Sequence, residues 1–253
     1  MAKIIAVLNQ KGGVGKTTTA VNLAAYLARG DAARVLLVDA DPQGNATSGL
    51  GLDKRSVSPT LYDVLFSDIA LAKAIKKVGS GNLFLLPSNA QLAGAEVELV
   101  NQPEREFLFR RLLHKLEYDY VIIDCPPSLN LLTVNALCAA SDVLIPVQAE
   151  YYALEGLSQL LSTIQQIQAG LNPDLNFLGV VMTMYDARNS LSEQVKAELV
   201  QHMGEKLFAT IIPRNVRLAE APSFGKSILE YDRWSKGAQA YETLAKELKE
   251  RLL

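Results

Sequence analysis

The run 9-NQKGGVGKTTTAVNLA-24 collects lysine, threonine and three glycines, residue types that each have a use on a phosphate. Closely spaced glycines let backbone N–H groups converge on phosphate oxygens, a following lysine reaches the terminal phosphates, and the next hydroxyl ligates Mg²⁺. Lys16 and Thr17 fill the two side-chain positions, with Gly12, Gly13, Val14, Gly15 and Thr18 supplying backbone around them. The usual spacing also asks for a glycine where this chain has Gln10. What it has instead is a second lysine, Lys11, which the binding of a phosphate by one lysine does not require.

Carboxylates follow in two further runs. In 34-RVLLVDADPQGNATSGLG-51, Asp39 and Asp41 flank the end of an apolar segment. Buried acids are costly unless they serve a cation or a water. Beside a nucleotide one of them would support the metal's water shell and the other would orient an attacking water. Without such a loop upstream, Asp-Pro-Gln-Gly-Asn reads as an ordinary turn. In 119-DYVIIDCPPSLNLLTVNAL-137 a β-branched string ends on Asp124, placed to bind Mg²⁺ through water or to cap the next helix. Pro126 and Pro127 then stop the strand and stiffen the segment.

These residues need a frame that brings strand ends together. Apolar runs of strand length occur at 3–9, 34–41, 82–88, 119–126, 142–148, 177–184 and 207–214, several with almost no alternation. That is the pattern of strands covered on both faces. Helix-period stretches lie between them at 16–29, 104–117, 153–169, 192–203 and 237–252. Strand and helix in alternation predict an α/β fold, a doubly wound and mostly parallel sheet flanked by helices, in a single domain over 1–253. Ligands of such sheets sit beyond the carboxyl ends of the strands, where the glycine loop, Asp39, Asp41, Asp124 and Pro213-Arg214 all fall.

The bulk properties bound the function. With 49% apolar and 21% charged residues and no apolar run long enough to span a bilayer, the composition is that of a soluble globular protein expected in the cytoplasm. A formal charge of −2 leaves any nucleic-acid binding to a local patch. Cys125 and Cys138 sit in apolar settings as expected buried thiols, and His114 and His202, isolated on amphipathic segments, are assigned no role.

K-G-G-V-G-K-T-T, D-A-D-P-Q-G-N and I-I-D-C-P-P-S-L together resemble the deviant-Walker-A ATPases of the ParA/MinD superfamily of P-loop NTPases. The segments 148-QAEYYALEGLSQLL-161, 182-MTMYDAR-188 and 212-IPRNVRLAEAPSFGKSI-228 resemble its ParA/Soj branch, so the resemblance runs along essentially the whole chain. It implies ATP and Mg²⁺ as cofactors and a homodimer that encloses ATP, with Lys11 crossing to phosphate oxygens bound by the other subunit. It further implies that Lys16 holds the β- and γ-phosphates, Thr17 ligates Mg²⁺, Asp39 and Asp124 support the metal, and Asp41 positions the water. Pro213, Arg214 and Asn215 would meet the adenine. Arg188 and Arg217 would bind double-stranded DNA without sequence preference, a ParB-like partner would stimulate hydrolysis, and the protein would reside on the nucleoid.

Three rivals share parts of this pattern. A MinD-like membrane switch would need a basic amphipathic tail, whereas the stripe Ala238, Tyr241, Leu244, Ala245, Leu248 and Leu252 is mixed in charge and expected to dock on its own core. A nitrogenase-reductase-like electron donor would need cysteines in a cluster motif, where neither Cys125 nor Cys138 stands. A positioner of other cargo would use the same motifs.

Overall fold

The computed structural model of the protein describes residues 2–30, 33–150 and 153–253. Tyr151 and Tyr152 of the run 148–161 lie outside the described residues. Among those described, eight strands form one sheet: β1 Lys3–Val7, β2 Val35–Asp39, β3 Lys76–Lys77, β4 Leu83–Leu86, β5 Tyr120–Asp124, β6 Asp142–Gln148, β7 Asn176–Tyr185 and β8 Leu207–Pro213. Their order is β3-β4-β2-β5-β1-β6-β7-β8, and every pairing is parallel except the short β3 against β4.

The lack of alternation in the strands has the expected cause. Ile4, Ala6 and Leu8 of the first strand segment enter one apolar cluster with Leu36, Val38, Val121 and Ile123. Ile5 and Val7 enter a second cluster with Leu37 and Ile122 on the opposite face. Helices Leu131–Ala139 and Ala153–Gly170 cover the first face through Leu132, Ala136, Leu157 and Leu160. The helix Lys16–Leu27, which follows the glycine loop, and the terminal helix Lys236–Arg251 cover the second through Leu23, Leu27, Leu244 and Leu248. The terminal stripe therefore packs on the core, and the Tyr241 hydroxyl shares a buried hydrogen bond with Thr19 of the loop helix at 3.1 Å. No helix among the described residues is long and apolar enough to cross a membrane.

One expected helix is much shorter than its periodic stretch. The segment 104–117 is helical only over Leu108–Leu113, because Pro103 precedes it and Glu104 has a positive φ of 51° that a helix cannot contain. Register brings the chemistry together at one edge. Val7 pairs with Asp124 and Asp124 with Asp39, so β1, β5 and β2 end level. The strand that feeds the glycine loop is flanked by β5 and β6, where the chain changes sides of the sheet.

Candidate nucleotide site

The glycine loop is pinned at both ends. Asn9 donates through Nδ2 to the Pro146 carbonyl at 2.8 Å and accepts from the Lys11 N–H at 3.0 Å, while the Thr183 hydroxyl donates to the Val14 carbonyl at 2.8 Å. Gly13 and Gly15 have φ of 76° and 87°, left-handed values that glycine takes without strain. Gly15 caps the helix Lys16–Leu27 and offers no side-chain acceptor, so the first-turn N–H groups, at the positive end of the helix dipole, stand ready for an anion. The buried Lys16 ammonium folds back to donate to the Lys11 carbonyl at 2.9 Å. Burial lowers its pKa, and the carboxylates of Asp124 and Asp41 oppose that shift.

The acids form a buried wall beside Lys16. Asp124 is fully buried, and neither of its oxygens has a hydrogen-bond partner. Burial, reinforced by the Asp39 charge, raises its pKa well above the usual carboxylate range; the Thr17 hydroxyl comes near enough to oppose that without reaching bonding geometry. Asp39 is better provided: its Oδ2 accepts from the Thr47 N–H at 2.8 Å and hydroxyl at 2.7 Å, and its Oδ1 from the Asp41 N–H at 3.3 Å. Burial still pushes Asp39 up to about 6. Asp41, at the mouth, holds the turn by accepting from the Gln43 N–H at 2.8 Å. Ser88 closes the network, donating its N–H to the Thr47 hydroxyl oxygen at 2.9 Å and its own hydroxyl to the Asp41 carbonyl at 2.8 Å. Gly44, with φ of 61°, fits because a Cβ there would meet the Ser88 carbonyl at 2.9 Å.

An orphaned buried carboxylate beside a threonine hydroxyl and a lysine fits Mg²⁺, a hard ion that keeps several waters and takes one or two carboxylates plus phosphate oxygens. Thr17 and Asp124 are the residues that would hold it, and no cluster of His, Cys, Asp or Glu among the described residues could enclose a metal unaided. Asp39, its oxygens already engaged by Thr47 and by the Asp41 N–H, is placed to orient the Asp41 turn.

Lys11 stands on the rim, half exposed, in an ion pair with Glu150 at 2.5 Å. The other Glu150 oxygen accepts from Gln148 Nε2 at 2.5 Å. Neither type nor spacing marks Glu150, Thr47 or Ser88 in the sequence. Thr47 and Glu150 do lie inside runs that carry motifs, whereas Ser88 belongs to the site only through tertiary contact.

A cavity of about 220 Å³ opens beside the loop, lined by Gly15, Thr18, Pro213, Arg214, Asn215 and Tyr241 among others. It has the position a base needs if phosphates occupy the loop. Asn215 also caps the helix Val216–Glu220, its Oδ1 accepting from the Leu218 N–H at 3.3 Å. Arg188 and Arg217 follow the ends of the neighbouring strands β7 and β8, and both are already paired. The Arg188 guanidinium donates two hydrogen bonds to Asp186, at 3.0 and 2.8 Å, and its backbone N–H donates a third at 3.0 Å; together they hold that carboxyl down at about 2. Arg217 reaches Glu220 at 2.9 Å and Asp232 at 3.5 Å. Cys125 and Cys138 are buried free thiols as expected, and burial pushes Cys138 up to about 11.

A parallel sheet with a glycine loop leading into a helix, closed by an acidic strand end, defines a P-loop NTPase, here with an added lysine in the loop. Residues 2–177 match the model of a family described as an AAA domain. Over 250 residues the chain is 57% identical to the sporulation initiation inhibitor protein Soj of Bacillus subtilis, across 98% of each chain. It is 53% identical to the chromosome partitioning protein ParA of Myxococcus xanthus, across 99% of this chain and 89% of that one. A solved structure from Mycobacterium smegmatis, described as cobyrinic acid a,c-diamide synthase with bound ADP and magnesium, superimposes with a TM-score of 0.87 at 40% identity, covering 100% of this chain and 96% of the other. The chain belongs to the ParA/Soj family of partition ATPases.

Proposed function

We propose that this protein is a partition ATPase whose ATP-bound form is a dimer that holds DNA without sequence preference until a ParB-like partner triggers hydrolysis. The observation that carries the nucleotide chemistry is the uncapped helix N-terminus at Lys16 and Thr17 facing the orphaned Asp124 carboxylate. In this reading the loop N–H groups and Lys16 bind the phosphates, the Lys16 ammonium leaving the Lys11 carbonyl for them. Thr17 and Asp124 would hold Mg²⁺, which when bound would supply charge neutralisation to the phosphates. Asp41 orients a water for in-line attack on the γ-phosphorus, which breaks the bond to the bridging oxygen and yields ADP and inorganic phosphate. Pro213, Arg214 and Asn215 line the place for the adenine.

Lys11 is half exposed and bound only at the rim, so it is free to exchange Glu150 for a phosphate oxygen across a dimer interface. An exposed pair of this kind is worth about 0–1 kcal/mol, a small cost to release. Partition, rather than the synthase chemistry of the Mycobacterium protein's description, is supported by the Myxococcus xanthus relative, which is named for chromosome partitioning and is 53% identical against 40% for that structure. The DNA face is assigned to Arg188 and Arg217, and residence on the nucleoid follows from it. The deciding experiment measures binding to mixed-sequence duplex DNA with ATP, with ADP and without nucleotide, for wild type and Arg217→Glu. Binding that requires ATP and is lost in the variant is expected; equal binding in all three states refutes the proposal.

A further inference from the structure

Between β8 and the terminal helix lies a surface that the roles above leave unused. Val216, Phe224 and Trp234 are 70%, 64% and 73% exposed, although large apolar side chains are usually placed inside. A continuous chain of interactions joins Phe224 and Trp234 to Arg217. Phe224 stacks on Tyr231 with ring centres 5.0 Å apart. The Tyr231 hydroxyl donates to Glu220 at 3.0 Å, Glu220 accepts from Arg217 at 2.9 Å, and Arg217 reaches Asp232 at 3.5 Å. Asp232 then accepts from the Trp234 N–H at 3.2 Å, and the Arg233 guanidinium lies 4.4 Å from the Trp234 ring centre.

We propose that this face makes a non-ionic contact to duplex DNA, with Trp234 under its stacked Arg233 as the principal plate and Phe224, joined to Arg217 through Tyr231 and Glu220, as the second. The inference rests on the DNA-binding reading of Arg217. Charge favours this occupant: from 210 to 236, Arg214, Arg217, Lys226, Arg233 and Lys236 outnumber Glu220, Glu230 and Asp232, although the whole chain carries −2. Arg217 is partly neutralised by Glu220 and Asp232, so phosphate attraction there is weak. A flat ring covered by a guanidinium can lie against sugars and base edges in a groove. Such an apolar contact releases no counterions, whereas a lysine or arginine on a phosphate does. The two kinds of interaction are therefore separable by salt.

Trp234 is the only tryptophan in the chain, so its emission reports this surface directly. The ATP-loaded protein is titrated with a mixed-sequence duplex over a range of KCl concentrations. We expect the emission to be quenched and Trp234→Ala to bind about tenfold more weakly, with the slope of log K against log salt unchanged. Trp234→Phe should restore most of the affinity, and Arg217→Ala should lower the slope by about 0.9 for each phosphate that the arginine neutralises in wild type. If Trp234→Ala binds as wild type does and the emission does not move, while Arg217→Glu fails to bind DNA, the inference is overturned and the DNA reading stands. If wild type binds no duplex in any nucleotide state, both fall. A response to vesicles of anionic phosphatidylglycerol with none to DNA overturns it in favour of a lipid surface.

Discussion

Replacing Asp124 with asparagine should make the nucleotide-free protein more stable while removing part of its response to Mg²⁺-nucleotide. The carboxylate is fully buried, and neither oxygen accepts a hydrogen bond. An unsatisfied buried polar group costs about 1–3 kcal/mol, more when charged. Its neighbour Asp39 shares the cost: a rise from 3.8 to about 6 corresponds to about 3 kcal/mol. A carboxyl whose folded pKa is raised contributes stability fully present below its unfolded pKa and lost as pH rises through the folded value. The empty wild-type protein should therefore lose stability between about pH 4 and 7, with Asp39 titrating near 6 and Asp124 adding to the same trend. Asparagine removes one charge and relieves the other. At roughly 2–4 °C per kcal/mol for a chain of this size, the melting temperature at pH 7.5 should rise on the order of 5 °C. Calorimetry from pH 5 to 8, with and without Mg²⁺-ADP, checks both halves. Wild type should gain markedly from the ligand and Asp124→Asn much less. A variant that melts at or below wild type when empty, with an unchanged pH profile, refutes the reasoning.

Lys16→Ala should abolish nucleotide binding measured by calorimetry, whereas Lys11→Ala should bind nucleotide normally and fail to dimerise on ATP in sedimentation; a dimer of Lys11→Ala sinks the proposed crossing. Asp41→Ala should dimerise on ATP yet release phosphate at least about 100-fold more slowly, as expected when water positioning fails; wild-type turnover would remove Asp41 from the mechanism. Thr47→Val takes the hydroxyl from Asp39 and the acceptor from the Ser88 N–H, so unfolding should become about 2–4 kcal/mol easier, with hydrolysis falling more than nucleotide affinity. Equal losses in both would mean that the network only supports the fold.

The frame was legible because covered parallel strands have a simple signature: runs such as Val35–Asp39 and Tyr120–Asp124 are apolar almost throughout and end on the acids that matter. Local geometry was legible wherever one residue type is required, as at Gly13 and Gly15. Helix ends were less so, since the turn at Glu104 depends on backbone conformation that residue periodicity does not encode. Least legible were the supporting partners. Ser88 enters the site because β4 lies beside β2, and Glu150 meets Lys11 because β6 lies beside β1; each is an ordinary polar residue until the sheet is assembled. The pairing of Arg188 and Arg217 with acids on their own surface was equally hidden, and it changes what those arginines must give up to meet a phosphate.

The terminal helix has a bearing on how the molecule comes into being during synthesis. Tyr241 is both a wall of the cavity beside the glycine loop and the partner of Thr19, and Ala238, Leu244 and Leu248 complete the apolar cluster beneath the loop helix. A chain emerging from the ribosome exposes the glycine loop first, yet it cannot finish that loop's surroundings until residues 236–251 have cleared the exit tunnel. Nucleotide affinity should thus arrive only when that helix docks, well after the loop itself has been made. In the reading proposed above, a nascent chain would be kept until then from pairing with a finished molecule or from being held on DNA.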